Sequence, residues 1–212
     1  MSGAGTVRPI AFASGDDAEE LARAEVYGLL AALFYAPPDA ELHAQFQVAV
    51  TEAPVAGAFL EASWADLVAA SRRLDRAQIA REFDTLFQGV GKPEVFLYGS
   101  FHLAGCLNEK PLVALRHSLR ELGLERSAEM NETEDHIASL CEVMRYLIAG
   151  EDVGVSNLGA QQRFFNAHLR PWVERLCDSI AAHPRADFYR ALAGFTRDFF
   201  AVEAQGFDLL DA

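Results

Sequence analysis

The chain has 212 residues, of which 51% are apolar, 15 are Phe and three are Cys, and it carries a formal net charge of −13. A chain of this length buries roughly 70% of its unfolded surface, so it needs neither disulfides nor a structural metal to hold together. The charge argues against nucleic acid, whose phosphates are bound by Lys and Arg; an acidic surface keeps a protein soluble and attracts basic segments.

Ala, Leu, Glu and Arg dominate, and the β-branched runs of buried strands are missing, so the expected class is all-α. Cys106, Cys141 and Cys177 are odd in number, far apart and outside any C-x-x-C pair, which fits a reducing compartment. The first ten residues include Arg8 but no apolar core of a secretory signal, and no stretch approaches the roughly 20 apolar residues of a membrane span. A cytoplasmic protein without membrane insertion is expected.

Residues 1–15 are small and polar and are expected to form a disordered tail, followed by one all-helical domain over 16–212. Ser14 or Asp16 is placed to cap a first helix. Its stripe of Val26, Leu29, Leu30, Leu33 and Phe34 has amphipathic spacing, and Pro37-Pro38 ends it. Short helical pieces follow to about Leu60, then one longer helix from about Ser63 through Ile79, Phe83, Leu86 and Phe87. Residues 89–100, GVGKPEVFLYGS, break the pattern and are expected to be a loop or hinge between two halves. Val95-Phe96-Leu97 is strand-like, but no neighbouring run offers a partner.

Pro111 suits the first turn of the next helix, which presents Leu112, Leu115, Leu119 and Leu122 on one face before Gly123. A helix from near Asn131 carries Ile137, Leu140, Cys141, Met144, Leu147 and Ile148 within an arc of about 100°. After a second loop over 150–159, a helix bears Phe165, Leu169, Trp172, Val173, Leu176 and Ile180; Pro171 inside it should kink or divide it. A last helix uses Phe188, Leu192, Phe195, Phe199 and Val202. The total is about nine to eleven helices and no sheet.

Catalytic signatures are lacking. Gly89-Val90-Gly91-Lys92 is too short for a phosphate loop and runs into Pro93, and there is no H-E-x-x-H or G-x-S-x-G. The six His are widely spaced, so neither a metal nor another cofactor is expected. Arg72-Arg73 reads as a solvated helix face. One cluster stands out: Asn131-Glu132-Thr133-Glu134-Asp135-His136. As a helix start it is self-explanatory, with Asn131 as N-cap, Glu134 at the capping-box position and acids favouring the dipole. It also has the residues of a binding wall, although the residues alone favour the helix start. From Glu121 to Asp152 nine acids face only Arg126 and Arg145, and His136 sits beside the stripe of Leu140 and Leu147. A segment with arginines followed by an apolar run would match such a wall.

These residues resemble a known family. Glu132-Thr133-Glu134-Asp135-His136 is similar to the E-P-x-D-H signature of the TorD/DmsD/NarJ chaperones of molybdoenzyme assembly, with Thr133 where that signature has proline. Glu82-Phe83-Asp84-Thr85-Leu86-Phe87 with Pro93 and Tyr98-Gly99-Ser100 resembles the family's E-x-x-x-L-F … P … Y-x-S segment. Gln161-Gln162-Arg163-Phe164-Phe165 leading to His168-Leu169 and Pro171-Trp172 resembles its Q-x-x-F-F … H-L … P-W helix. The likeness runs from about Ala24 to Phe200.

The resemblance implies a single-domain TorD-like helical fold and a cytoplasmic chaperone, not an enzyme. Its partner would be the twin-arginine leader, and the body, of a molybdopterin oxidoreductase precursor held for cofactor insertion before export. By position it implies that Asp135, His136 and Glu132, with the loop Tyr98, Gly99 and Ser100, form the leader site. A hinge at 89–100 would also permit a homodimer by helix swapping. Some family members bind guanine nucleotides weakly; nothing in this chain bears on that. Two other functions fit the residues alone: an enzyme using Glu132, Asp135 and His136, or a helical adaptor that docks a partner helix.

Overall fold

The computed structural model describes residues 16–51, 60–89, 92–127, 131–152 and 154–210. The expected tail over 1–15, including the candidate cap Ser14, lies outside them. Helix α1 (Asp16–Tyr35) buries Tyr27, Leu30, Leu33 and Phe34 and stops where Pro37-Pro38 removes the next backbone donors. α2 (Ala40–Gln47) starts at Asp39, whose side chain accepts from the Leu42 N–H.

The long helix expected from Ser63 to Phe87 is instead two helices and a widened turn. α3 (Glu61–Arg73) ends because Leu74 is extended (φ −103°, ψ 136°), and α4 (Arg76–Phe83) begins afresh at Asp75. Asp75 and Gln78 form a reciprocal capping box: the Asp75 carboxylate accepts from the Gln78 N–H at 2.7 Å, and Gln78 Oε1 accepts from the Asp75 N–H at 2.8 Å. A π-helical turn, Asp84–Gln88, then carries Leu86 and Phe87 into the core. Gly89 turns the chain back at φ 29°; a Cβ there would meet the Lys92 carbonyl oxygen at 2.3 Å.

α5 (Gly99–Ala104) and α6 (Lys110–Glu121) follow, with Pro111 in the first turn of α6 and Gly123 at φ 68° just past its end, as the sequence indicates. α7 (Ile137–Ala149) buries all six residues of its predicted stripe. Pro171 does divide its helix, into α8 (Leu158–His168) and α9 (Val173–Ala181), with Trp172 buried between them. α10 (Phe188–Asp208) closes the chain. That makes ten α-helices among the described residues, with no strand beyond one isolated bridge.

One core joins them. α1 packs along α7, its start beside the end of α7, while α10 packs on α9, α3 and α4. Aromatic rings of α10 tie the layers together: Phe199 meets Tyr27 edge-on at 4.9 Å, Phe195 meets Trp64 at 5.5 Å and Phe207 meets Phe165 at 5.2 Å. Where α1, α8 and α10 meet, Arg23 grips Glu203 with two hydrogen bonds (2.7 and 2.9 Å), and Tyr27 donates to the same carboxylate. The Glu82 carboxylate accepts from three backbone N–H groups at the start of α10, those of Asp187, Phe188 and Tyr189. This gives the E-x-x-x-L-F segment a physical role: its acid caps a distant helix while Leu86 and Phe87 fill the core. No helix among the described residues is long and apolar enough to cross a membrane.

Candidate functional site

The helix expected from Asn131 starts six residues later, at Ile137, with His136 as its N-cap. The local capping pattern loses to a remote partner. Tyr98 and His136 form an antiparallel bridge in which the Gly99 N–H donates to the Asp135 carbonyl and the Ile137 N–H to the Leu97 carbonyl, both at 2.9 Å. That pairing requires extended backbone at His136 (φ −64°, ψ 136°). It also supplies the partner that Val95-Phe96-Leu97 lacked in the linear sequence. Gly99 and Ser100, expected in the loop, are the first residues of α5.

The six predicted site residues therefore come together. Asp135, 3% exposed, accepts from the Ser100 N–H at 2.8 Å and the Thr133 hydroxyl at 2.7 Å. His136, 5% exposed, accepts the Ala138 N–H on Nδ1 at 3.2 Å and meets the Tyr98 ring edge-on at 5.1 Å. Burial pulls its pKa down to about 4, against the smaller opposing pull of Glu132 and Asp135. The Tyr98 hydroxyl donates to Glu132, and burial together with that carboxylate raises its pKa. Gly99 lies flat against Trp172: a Cβ there would stand 3.1 Å from the indole, which is itself fixed by a 2.6 Å hydrogen bond to the His168 carbonyl. The three family-like segments are thus one packed unit, Tyr98–Ser100 held between the 132–136 turn and Trp172.

Asp135 and His136 face inward, and Leu140 and Leu147 are core residues, so none of these four side chains lines an open cleft. The open surface is on the outer side of the same turn. Glu134 is held by both arms of Arg116 (3.0 and 3.0 Å). Burial works to raise the Glu134 pKa, but the guanidinium overrides it and the net shift is downward. Glu134 stands on the rim of a groove of about 510 Å³ between α1, α6 and α7. Its walls are apolar, chiefly Ala31, Ala32, Leu119, Leu124, Val143 and Tyr146, and its rim includes Glu125 and Glu142. Ser139 Oγ, in the wall, is buried with no partner among the described residues. The groove then continues along the α1–α7 seam into a second hollow of about 430 Å³, which shares Glu142 and Tyr146 with the first. Sequence reasoning missed these residues because three separate helices contribute them. The available signal was Tyr35 and Tyr146, large apolar residues off their helices' buried stripes and 47% and 40% exposed.

Among the described residues no three His, Cys, Asp or Glu are grouped so as to hold a metal. Cys106 is exposed, while Cys141 and Cys177 are buried with their thiol pKa values pushed up by burial.

These features define an all-helical, single-domain protein with an apolar, acid-rimmed groove beside a pinned turn. The family model of the nitrate reductase delta subunit matches residues 54–178, more than half of the chain. The chain belongs to that family, which includes the TorD-type proteins. It is 26% identical over 204 residues to the chaperone protein TorD of Vibrio cholerae serotype O1, covering 89% of this chain and 93% of that protein. It is 31% identical over 85 residues to the Tat proofreading chaperone DmsD of Salmonella typhimurium, covering 40% of this chain and 39% of that protein.

Proposed function

We propose that this protein is a cytoplasmic chaperone of molybdoenzyme maturation that binds the twin-arginine leader of a molybdopterin oxidoreductase precursor and holds it for cofactor insertion before export. The observation that carries this reading is the apolar groove with its acidic rim, built on the turn that bears the family signature. A leader has the complementary pattern, a basic pair followed by an apolar run. The run removes apolar surface from water in the groove, and the arginines face carboxylates at its edge. In this scheme Asp135, His136, Glu132 and the Tyr98–Ser100 segment belong to the leader site as the pinned turn that supports its groove. Glu132 and Tyr98 are half-buried, whereas Asp135 and His136 are buried and hold from behind the turn whose Glu134 lines the groove.

The test is calorimetric titration of a synthetic leader peptide, Arg-Arg followed by an apolar run, into the wild type and into Ala32→Trp. Ala32 is exposed on the groove wall, so an indole there fills the groove without entering the core. Wild-type binding abolished by Ala32→Trp, with the melting temperature unchanged, is the expected result. No wild-type binding refutes the function, and equal binding by both proteins refutes the groove.

A further inference from the structure

The groove has two unlike ends, and the difference sets the direction in which a basic-apolar segment lies. This inference rests on the leader-binding reading above. At the α6 end the floor is apolar and the charges of the described residues nearly cancel. Glu134 is neutralised by Arg116, and Glu125, with no ion-pair partner among the described residues, stands beside Arg126. At the other end, where α7 finishes, the described residues that line the hollow include Glu25 and Glu142, with Arg145 alone in opposition. Arg145 pairs with Glu142 at 3.0 Å and lies across Gly28 of α1, and Glu25 has no ion-pair partner among the described residues. Glu151 follows just after Gly150, which lines that hollow. α7 has no basic residue in its last turn, so its terminal carbonyls add to the negative potential there.

We infer that the bound leader runs along the α1–α7 seam with its arginines at the Glu25–Glu142 end and its apolar run over Leu119, Leu124 and Val143. Tyr146, common to both hollows, marks the crossing point and offers a ring to the guanidinium that passes it. From Ala138 to Ala149 the seam is about 16 Å long at the helical rise of 1.5 Å per residue, the length of about eleven residues of a helical occupant. Glu25 and Glu142 are then the residues that distinguish an Arg-Arg leader from an apolar segment of equal length.

Two measurements on the full chain test this. In the first, Arg-Arg and Ala-Ala versions of the synthetic leader are titrated into wild type, Glu25→Gln/Glu142→Gln and Glu125→Gln. The double variant should bind the Arg-Arg peptide about three- to tenfold more weakly, the loss expected for two exposed ion pairs. Its affinity for the Ala-Ala peptide should stay within about twofold of wild type, and Glu125→Gln should weaken the Arg-Arg peptide less than the double variant does. In the second, a benzophenone placed next to the arginines should crosslink to the Leu21–Glu25 stretch, and one placed in the apolar run to the Leu119–Leu124 stretch. Binding with the crosslinks reversed, or binding indifferent to the double variant, overturns the direction while leaving the function intact. Absence of any wild-type binding overturns the function, and this inference with it.

Discussion

Removing the Asp135 carboxylate should damage stability far more than a surface acid would. Asp135 is 3% exposed and accepts one hydrogen bond from the wholly buried Ser100 backbone and one from the half-buried Thr133 hydroxyl. A hydrogen bond to a charged group is worth about 1.5–3 kcal/mol, and a buried donor left without an acceptor costs about 1–3 kcal/mol. Thr133 can turn to water, so Asp135→Ala is expected to lose about 3–4 kcal/mol, dominated by the orphaned Ser100 N–H. For a chain of this size that lowers the melting temperature by about 6–16 °C. Asp135→Asn keeps an oxygen for Ser100 and an amide that Thr133 can accept from, so about half of the loss should return. Thermal melts at 222 nm measure both variants. Hydrogen exchange should show the Gly99 and Ser100 amides deprotected in Ala and largely protected in Asn. An Asp135→Ala protein melting within about 1 °C of wild type would show that the carboxylate does not pin this turn.

His136 is neutral in the fold, with its pKa lowered to about 4, so the unfolded chain takes up its proton first as pH falls. Its share of stability is intact above about pH 6.5 and is lost progressively down to about pH 4, at most about 3 kcal/mol; His136→Asn, which keeps a capping acceptor but does not titrate, should flatten that slope in pH-dependent melts. Gly99→Ala drives a methyl against the fixed Trp172 indole and should cost about 1–3 kcal/mol. Gly28→Ala meets only Arg145, whose half-exposed side chain can swing aside, and should be neutral or gain up to about 1 kcal/mol of helix propensity; equal losses in urea titration would refute the distinction. Glu82→Ala leaves three N–H groups at the start of α10 without their acceptor and should cost about 2–4 kcal/mol, with Glu82→Gln recovering much of it in the same titration.

The helices legible in the sequence are those whose burial is one-sided. The α7 stripe and the Phe ladder of α10 mark their own core faces, and Pro171 announces a break by lacking an N–H. The breaks that escaped notice are decided by competing hydrogen bonds. Leu74 and Asp75 could continue a helix, and only the Asp75–Gln78 box tips them out of it. At Asn131 the local signals favour a helix, but Leu97 and Gly99, over thirty residues upstream in the chain, offer backbone partners that a helix start cannot match. The same remoteness governs the site. Asp135-His136 is conspicuous as a motif, yet its burial depends on Ser100 and Tyr98 arriving from another segment. The groove was invisible because no single helix contains it.

Net charge and groove also explain each other. An open apolar groove invites copies of the protein to associate through it. A charge of −13 opposes that, because every approaching copy brings the same sign. The same field favours an occupant that carries positive charge, so solubility and partner choice draw on one set of acids. Screening limits its reach to about 8 Å at physiological ionic strength, which confines selection to the rim. Exposed rim charges act mainly on the rate of encounter, whereas apolar contacts in the groove govern the lifetime of the complex. Raising the salt should therefore slow association of an Arg-Arg leader and leave its dissociation nearly unchanged.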